Sequence, residues 1–323
     1  MRSAAQIRVR GEAGRPLTLS DFCGLFGAEP ESFTGGQVKA ITTKDGFRVS
    51  DLGQAETEGV MIDVLKKTNS PELTVAGDAG SNSRWERGWA ENLAEFDPSG
   101  GFETLRPKYV RSRQPVRLYQ KFVMPQNPDF EYEWYKIFLE YLARQYMGDA
   151  GTIYEFGCGS GFNVAFLSQL FRNKKKVWGT DWAQSSVKII DRMAHGGYNV
   201  EGRMFNFFEP DESFRLDEGA VVLTVGALEQ TGTRYLPFLN YLLEQPISLC
   251  INIEPIVEWY DQSKLVDYLA VLFHERRKYM SGFPETLEGL EKKGELSLVK
   301  QKRSYFGSLY IEGYSQNIWR PQR

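Results

Sequence analysis

The chain has 323 residues, room for about two domains at roughly 100–200 residues each. Its 41 % hydrophobic and 25 % charged residues are the balance of a globular protein. A formal net charge of −3 argues against a protein that grips nucleic-acid phosphates, and three unpaired-looking cysteines with two histidines exclude a disulfide framework and a zinc or other transition-metal centre.

Residues 1–80 carry weak signals: a short helix over Leu17–Phe26 capped near Thr18 or Ser20, and helical apolar spacing in Gly59–Lys67. No apolar signal-peptide core opens the chain and no run approaches ~18 apolar residues, so a cytoplasmic protein without membrane contact is expected. Val75–Ser83 reads as a loop. Arg84–Phe96 places Trp85, Trp89, Leu93 and Phe96 on one helical face, a stripe that reads as packing before it reads as a ligand box. Residues 97–130 are irregular, with five prolines, and the apolar helix Tyr132–Met147 follows. Both segments upstream of residue 150 are positioned to cover a cleft in the domain behind them.

From residue 150 strands and helices alternate. Thr152–Phe156, Val177–Thr180, Val200–Phe207, Ala220–Val225 and Ile247–Ile253 read as strands. Asn163–Phe171, Ser185–Ala194, Tyr235–Leu243 and Gln262–Tyr279 read as helices. Leu296–Arg303 and Ser308–Trp319 suggest an antiparallel pair. The alternation predicts an α/β fold, a doubly wound, mostly parallel sheet with that pair at its C-terminal end. The expected division is an N-terminal accessory or lid region over 1–130 and a sheet domain over 131–323. The basic run Lys174–Lys176 falls between a helix end and a strand and reads as a solvated turn.

The informative run is Glu155-Phe-Gly-Cys-Gly-Ser-Gly161, an acid at a strand end followed by glycines at 157, 159 and 161. Such glycines let the backbone turn sharply and approach a ligand, and the next helix points free N–H groups at it. The dinucleotide fingerprint would need a glycine where Phe162 stands, and a pyrophosphate would meet Glu155 as a like charge. A cationic ligand would not.

This run resembles the first motif of the class I S-adenosylmethionine-dependent methyltransferases. The resemblance implies that Gly157, Gly159 and Gly161 lie against the cofactor, S-adenosylmethionine, with Glu155 acting on its amino-acid end. Asp181, closing the second strand, then faces the ribose, although capping of the following helix beside Ser185 is an alternative reading. Asn206 and Phe207 fall where the family places its adenine contacts, with Asn206 departing from the usual Asp. Leu228-Glu-Gln230 resembles the loop at the methyl-transfer centre, with Gln230 in place of a histidine. The runs Trp85–Phe96, Arg106–Tyr109, Gln114–Arg117 and Arg303–Pro321 more loosely resemble bacterial methyltransferases of surface-carbohydrate and small-molecule pathways.

A hydroxyl acceptor benefits from a general base. Glu229 and Glu254 follow the fourth and fifth strands at their carboxyl ends, and His274 lies on the long helix after them, so these three are the candidate catalytic residues. His195, at a helix end, reads as a cap. Arg276, Arg277, Lys108, Arg113 and Arg117 are candidate partners of an anionic substrate or plain surface charge. The expected activity is methyl transfer to a small polar metabolite, a carbohydrate or sugar-acid oxygen. Protein methylation, or a cofactor-binding module that only mediates interactions, are the alternatives.

Overall fold

The computed structural model describes residues 14–43, 46–77, 79–108 and 110–322; Asp78 and Tyr109, in two of the runs above, lie outside them. The first part of the chain forms β1 (Arg15–Pro16), α1 (Leu19–Phe26), α2 (Gly35–Thr42), β2 (Arg48–Asp51), α3 (Gln54–Thr68), α4 (Ala79–Glu95), β3 (Val116–Leu118), β4 (Lys121–Pro125) and α5 (Phe130–Tyr146). Then follow β5 (Thr152–Phe156), α6 (Phe162–Leu170), β6 (Lys176–Asp181), α7 (Gln184–His195), β7 (Val200–Met204), β8 (Val221–Val225), α8 (Leu236–Leu243) and β9 (Leu249–Glu254). The chain closes with α9 (Leu265–Arg277), α10 (Phe283–Lys292), β10 (Leu296–Lys302), β11 (Phe306–Gly307) and β12 (Ser315–Pro321).

The main sheet has the order β10-β12-β9-β8-β5-β6-β7. Strands β5 to β9 are parallel, and β12 inserts antiparallel between β9 and β10. The doubly wound sheet with an antiparallel C-terminal pair is therefore present as expected. Its central strands are short and apolar on both sides, because helices cover both faces. The chain order reverses at β5, whose neighbours are β6 and β8. Connections leave that point in opposite directions and open a crevice at the strands' carboxyl ends, the place where such sheets bind ligands.

A second, antiparallel sheet has the order β1-β2-β4-β3-β11. Its last strand comes from the far end of the chain, Phe306 pairing with Leu118 and Gly307 with Arg117. Helix α5 lies between the two sheets. Trp134 packs on Phe306 at 4.1 Å and on Tyr314 at 4.9 Å between ring centroids, and on its other side touches Phe26 at 5.2 Å. Eleven of its seventeen residues are buried, so the helix is apolar on nearly every face. Each large side chain buried there contributes about 1.5–3 kcal/mol.

Three local features depart from the sequence reading. The proline-rich stretch contains the β3–β4 hairpin, whose turn residues Tyr119 and Gln120 have φ of 48° and 60°. Both are left-handed, as a two-residue hairpin turn of type I′ demands, but without the Asn-Gly pair that usually signals one. Helix α4 begins at Ala79, inside the presumed loop. Helix α10 was unforeseen; Gly282 at its N-cap and Pro284 in its first turn resemble a loop until the turns after them are seen.

Candidate active site

Strand β5 delivers Glu155 to the floor of the crevice. The carboxyl is 1 % exposed. One oxygen accepts from Asn163 Nδ2 at 2.6 Å, and Asn163 Oδ1 accepts from the Tyr135 hydroxyl at 2.6 Å. The other oxygen is buried with no partner. Burial above all, then the nearby Asp181 carboxylate, pushes the Glu155 pKa up to about 8, against the hydrogen bond from Asn163. A buried carboxyl with a vacant oxygen in a ligand-sized cleft is an acceptor waiting for a cation or donor.

The glycine turn follows. Gly157, Gly159 and Gly161 have φ of 78°, 53° and 75°, a region that a Cβ disfavours. Space is equally restrictive: a Cβ on Gly157 would stand 2.3 Å from Ala227 Cβ, and one on Gly159 2.8 Å from Trp89 Cζ2. The turn is held by β6, since the N–H groups of Gly157 and Cys158 donate to Thr180 O at 2.8 and 3.0 Å.

Asp181 closes β6 beside that turn. Its two oxygens accept one backbone N–H each, from Gly159 at 2.9 Å and Ala183 at 2.8 Å. Asp181 thus ties the entry of α7 to the glycine turn, as the capping reading expects, and it also lines the cleft. Burial, its largest influence, raises its pKa to about 6 despite those bonds.

Across the cleft, Phe205, Phe207 and Phe208 form an aromatic wall with Trp182, and Phe207 is braced edge-on by Phe238 at 4.5 Å. Asn206 lies between these rings in sequence but is not on the wall. Its Oδ1 accepts from Phe208 N at 3.0 Å and shapes the turn that presents the phenylalanines.

Helix α4 forms the outer wall. Trp85 and Trp89 stack at 5.4 Å and 15° and both face the cleft, so this part of the stripe lines a site while Leu93 and Phe96 pack into the core. The helix is fastened to α7, with Glu86 accepting from Ser185 N at 3.2 Å and Oγ at 2.5 Å. Arg192 Nη1 donates to Leu93 O at 2.7 Å and Phe96 O at 3.0 Å. The cleft so enclosed spans about 860 Å³ including its open mouth.

The expected catalytic trio is not brought to this cleft. Glu254 is fully buried and accepts from the N–H groups of Ala227 (3.3 Å), Leu228 (3.0 Å) and Glu229 (3.0 Å). It caps the short helical turn Leu228–Thr231, a positioning task that consumes both oxygens. Glu229 points behind the cleft wall, accepting from Gln230 Nε2 at 2.7 Å; burial, then Glu254, raises its pKa. His274 is buried with Nε2 2.6 Å from Met280 O, and burial lowers its pKa to about 4. A ring tied to a backbone carbonyl and that hard to protonate is structural. What the β8 loop does supply to the wall is Ala227, Gln230 and Thr231. His195 caps its own helix, Nδ1 lying 2.7 Å from Asp191 O.

Of the expected anion-binding cations, Lys108 is paired with Glu91 and Glu95 at the surface. Arg117 is buried and donates to Leu309 O and Val266 O, stitching the second sheet to α9. Among the described residues there is no cluster of metal-ligating side chains and no helix long and apolar enough to cross a membrane.

No family model and no curated protein matches the sequence. Solved structures similar to it include a SAM-dependent methyltransferase from Aquifex aeolicus, 17 % identical, covering 57 % of this chain and 89 % of that one with a TM-score of 0.40. An O-methyltransferase family 2 protein from Planctomyces limnophilus, in complex with apigenin, is 10 % identical over 56 % of this chain and 53 % of that one, TM-score 0.38. The CMeT domain of the citrinin polyketide synthase is 15 % identical over 60 % of this chain, TM-score 0.40; the chain spans about half of that domain's length, 52 %.

Proposed function

We propose that the protein is an S-adenosylmethionine-dependent methyltransferase acting on a hydroxyl of a small polar acceptor, a carbohydrate oxygen being the preferred target. The observation that carries this reading is the vacant, buried Glu155 oxygen at the head of a left-handed glycine turn, with Asp181 at the next strand end. These groups suit a ligand with an ammonium at one end and a diol further along. The described lining offers no cation to a pyrophosphate. When bound, S-adenosylmethionine supplies a methyl group on a cationic sulfur, open to in-line displacement.

The chain's own part is binding, orientation and exclusion of water. Glu155, held in one rotamer by Asn163 and Tyr135, fixes the amino-acid end. Asp181 fixes the ribose, and the phenylalanine wall takes the flat base. Helix α4 closes the outer side with two indole rings, removing water from the space between the carboxylates and the β8 loop. Among the described lining residues the only carboxyls are Glu155 and Asp181, both assigned to the cofactor. Rate enhancement therefore comes from positioning, and a hydroxyl proton leaves to solvent through the open mouth.

Calorimetry tests the reading. S-adenosylhomocysteine should bind with roughly micromolar affinity, about −8 kcal/mol, and NAD should give no heat. The reverse pattern would sink the proposal. Production of S-adenosylhomocysteine from S-adenosylmethionine with hydroxylated acceptors separates an enzyme from a module that merely binds the cofactor.

A further inference from the structure

We infer that the methyl acceptor carries an anionic group, a carboxylate or phosphate, received by Arg84, Arg234 and Arg277 at the mouth of the cleft beside Gln230. The inference rests on the methyl-transfer reading of that cleft. The three arginines come from distant parts of the chain, and the segment Thr74–Gly77 ties two of them, Arg234 and Arg277, together. Arg277 Nη1 donates to Thr74 Oγ1, and Ala76 N donates to Arg277 O at 2.7 Å. Arg234 Nη2 donates to Gly77 O at 2.9 Å, and its guanidinium lies 4.1 Å over the ring of Phe208, a cleft residue. Arg84 lies 5.2 Å over Trp85, another cleft residue. It is close enough to Arg277 that this cation, after burial, lowers its pKa.

Among the described residues none of the three forms an ion pair. Arg277 is 8 % exposed and its Nε is buried with no partner, as is Gln230 Oε1. The carboxyl that feels the cluster is Glu229, whose pKa the Arg277 cation draws down. Burial and Glu254 raise its pKa while Arg277 and the hydrogen bonds from Gln230 and Tyr279 lower it, and a single carboxylate can balance only one of the three guanidiniums. Gathering three guanidiniums in partly dry surroundings with one carboxyl acting on them among the described residues is costly, and a planar-fork match to a carboxylate or phosphate offsets that cost. The cluster adjoins Gln230 and Trp85 on the outer side of the cleft, whereas Glu155 and Asp181, which take the cofactor, lie on the inner side.

The test uses the full chain saturated with S-adenosylhomocysteine. Inorganic phosphate, glucuronate and neutral glucose are titrated calorimetrically into wild type, Arg84→Gln and Arg234→Gln. Binding of glucuronate or phosphate to wild type is expected, the stronger of the two naming the group. Each substitution should weaken it roughly tenfold or more, with S-adenosylhomocysteine affinity unchanged and glucose silent. Absence of anion binding, or binding that survives both substitutions, overturns the inference while leaving the cofactor site intact. Loss of S-adenosylhomocysteine affinity in either variant also overturns it, assigning the arginines to the cofactor's own carboxylate. If wild type fails to bind S-adenosylhomocysteine at all, the methyl-transfer reading falls first and takes this one with it.

Discussion

Cofactor affinity should depend on pH through Glu155. In the ligand-free protein its pKa is pushed up to about 8, so at neutral pH the carboxyl is mostly protonated. An arriving ammonium requires the carboxylate. Below the pKa each pH unit costs about 1.4 kcal/mol to expel the proton, a tenfold loss of affinity. From pH ~6, where the factor is about a hundred, to pH ~8, where the half-protonated carboxyl and the half-ionised amine together make it about four, affinity should rise roughly twenty-five-fold. Above that the cofactor's amino group, with a pKa of roughly 8, loses its proton and the rise ends. Calorimetry near pH ~6.5 in buffers of different ionisation enthalpy should register about one proton released per cofactor bound. Glu155→Gln should weaken binding at pH ~8 by roughly 1.5–3 kcal/mol and flatten the profile. The stability of the ligand-free protein provides a second check. A folded pKa of about 8 lies above the ordinary 4.5, so the stability tied to this group is full below pH 4.5 and is lost as pH rises toward 8. Wild type should therefore lose more stability than Glu155→Gln across that window. PH-independent affinity in wild type between 6 and 8, or an unaltered profile in Glu155→Gln, would refute the reasoning.

Asp181→Ala should weaken S-adenosylhomocysteine by roughly 1.5–3 kcal/mol and also lower the melting temperature, since Gly159 N and Ala183 N lose their acceptor; a melting shift with unchanged affinity would make Asp181 a cap only. Gly159→Val places a branched side chain against Trp89 on a backbone with φ of 53°, so cofactor binding should vanish and α4 should become more open to limited proteolysis. Equal cleavage of both proteins would show that the helix is not seated on the turn. His274→Ala should leave kcat within a few-fold of wild type, whereas Glu254→Gln should cost about 1–3 kcal/mol of stability by replacing one of the two capping oxygens with an NH2 that cannot accept from the N–H groups. A hundredfold fall in kcat for His274→Ala, at normal cofactor affinity, would restore the imidazole as a base.

Much of the sheet domain was legible in the chain itself. A parallel strand buried on both faces is a short apolar run, and an amphipathic helix repeats every 3.6 residues, so Thr152–Phe156 through Leu249–Glu254 announce themselves by composition and period. The glycine-turn end of the cleft, proposed to take the cofactor, was equally local: Glu155, the three glycines and Asp181 occupy one strand–turn–helix–strand unit, whose spacing alone sets where they point. The acceptor end was not. Glu229, Glu254 and His274 have the right residue types at the right ends of strands and helices, yet Glu254 and His274 are consumed by backbone partners that only the folded packing brings near, and Glu229 is buried against the Gln230 side chain. Conversely, Trp85 looks like any packed helical residue, and Arg84, Arg234 and Arg277 stand up to 193 positions apart (277 less 84) with no motif joining them. A polar side chain's role is set by which donors, acceptors and charges reach it through space. Periodicity records only which face of its own element it occupies, so tertiary structure alone decided which carboxyls became caps and which arginines were drawn together.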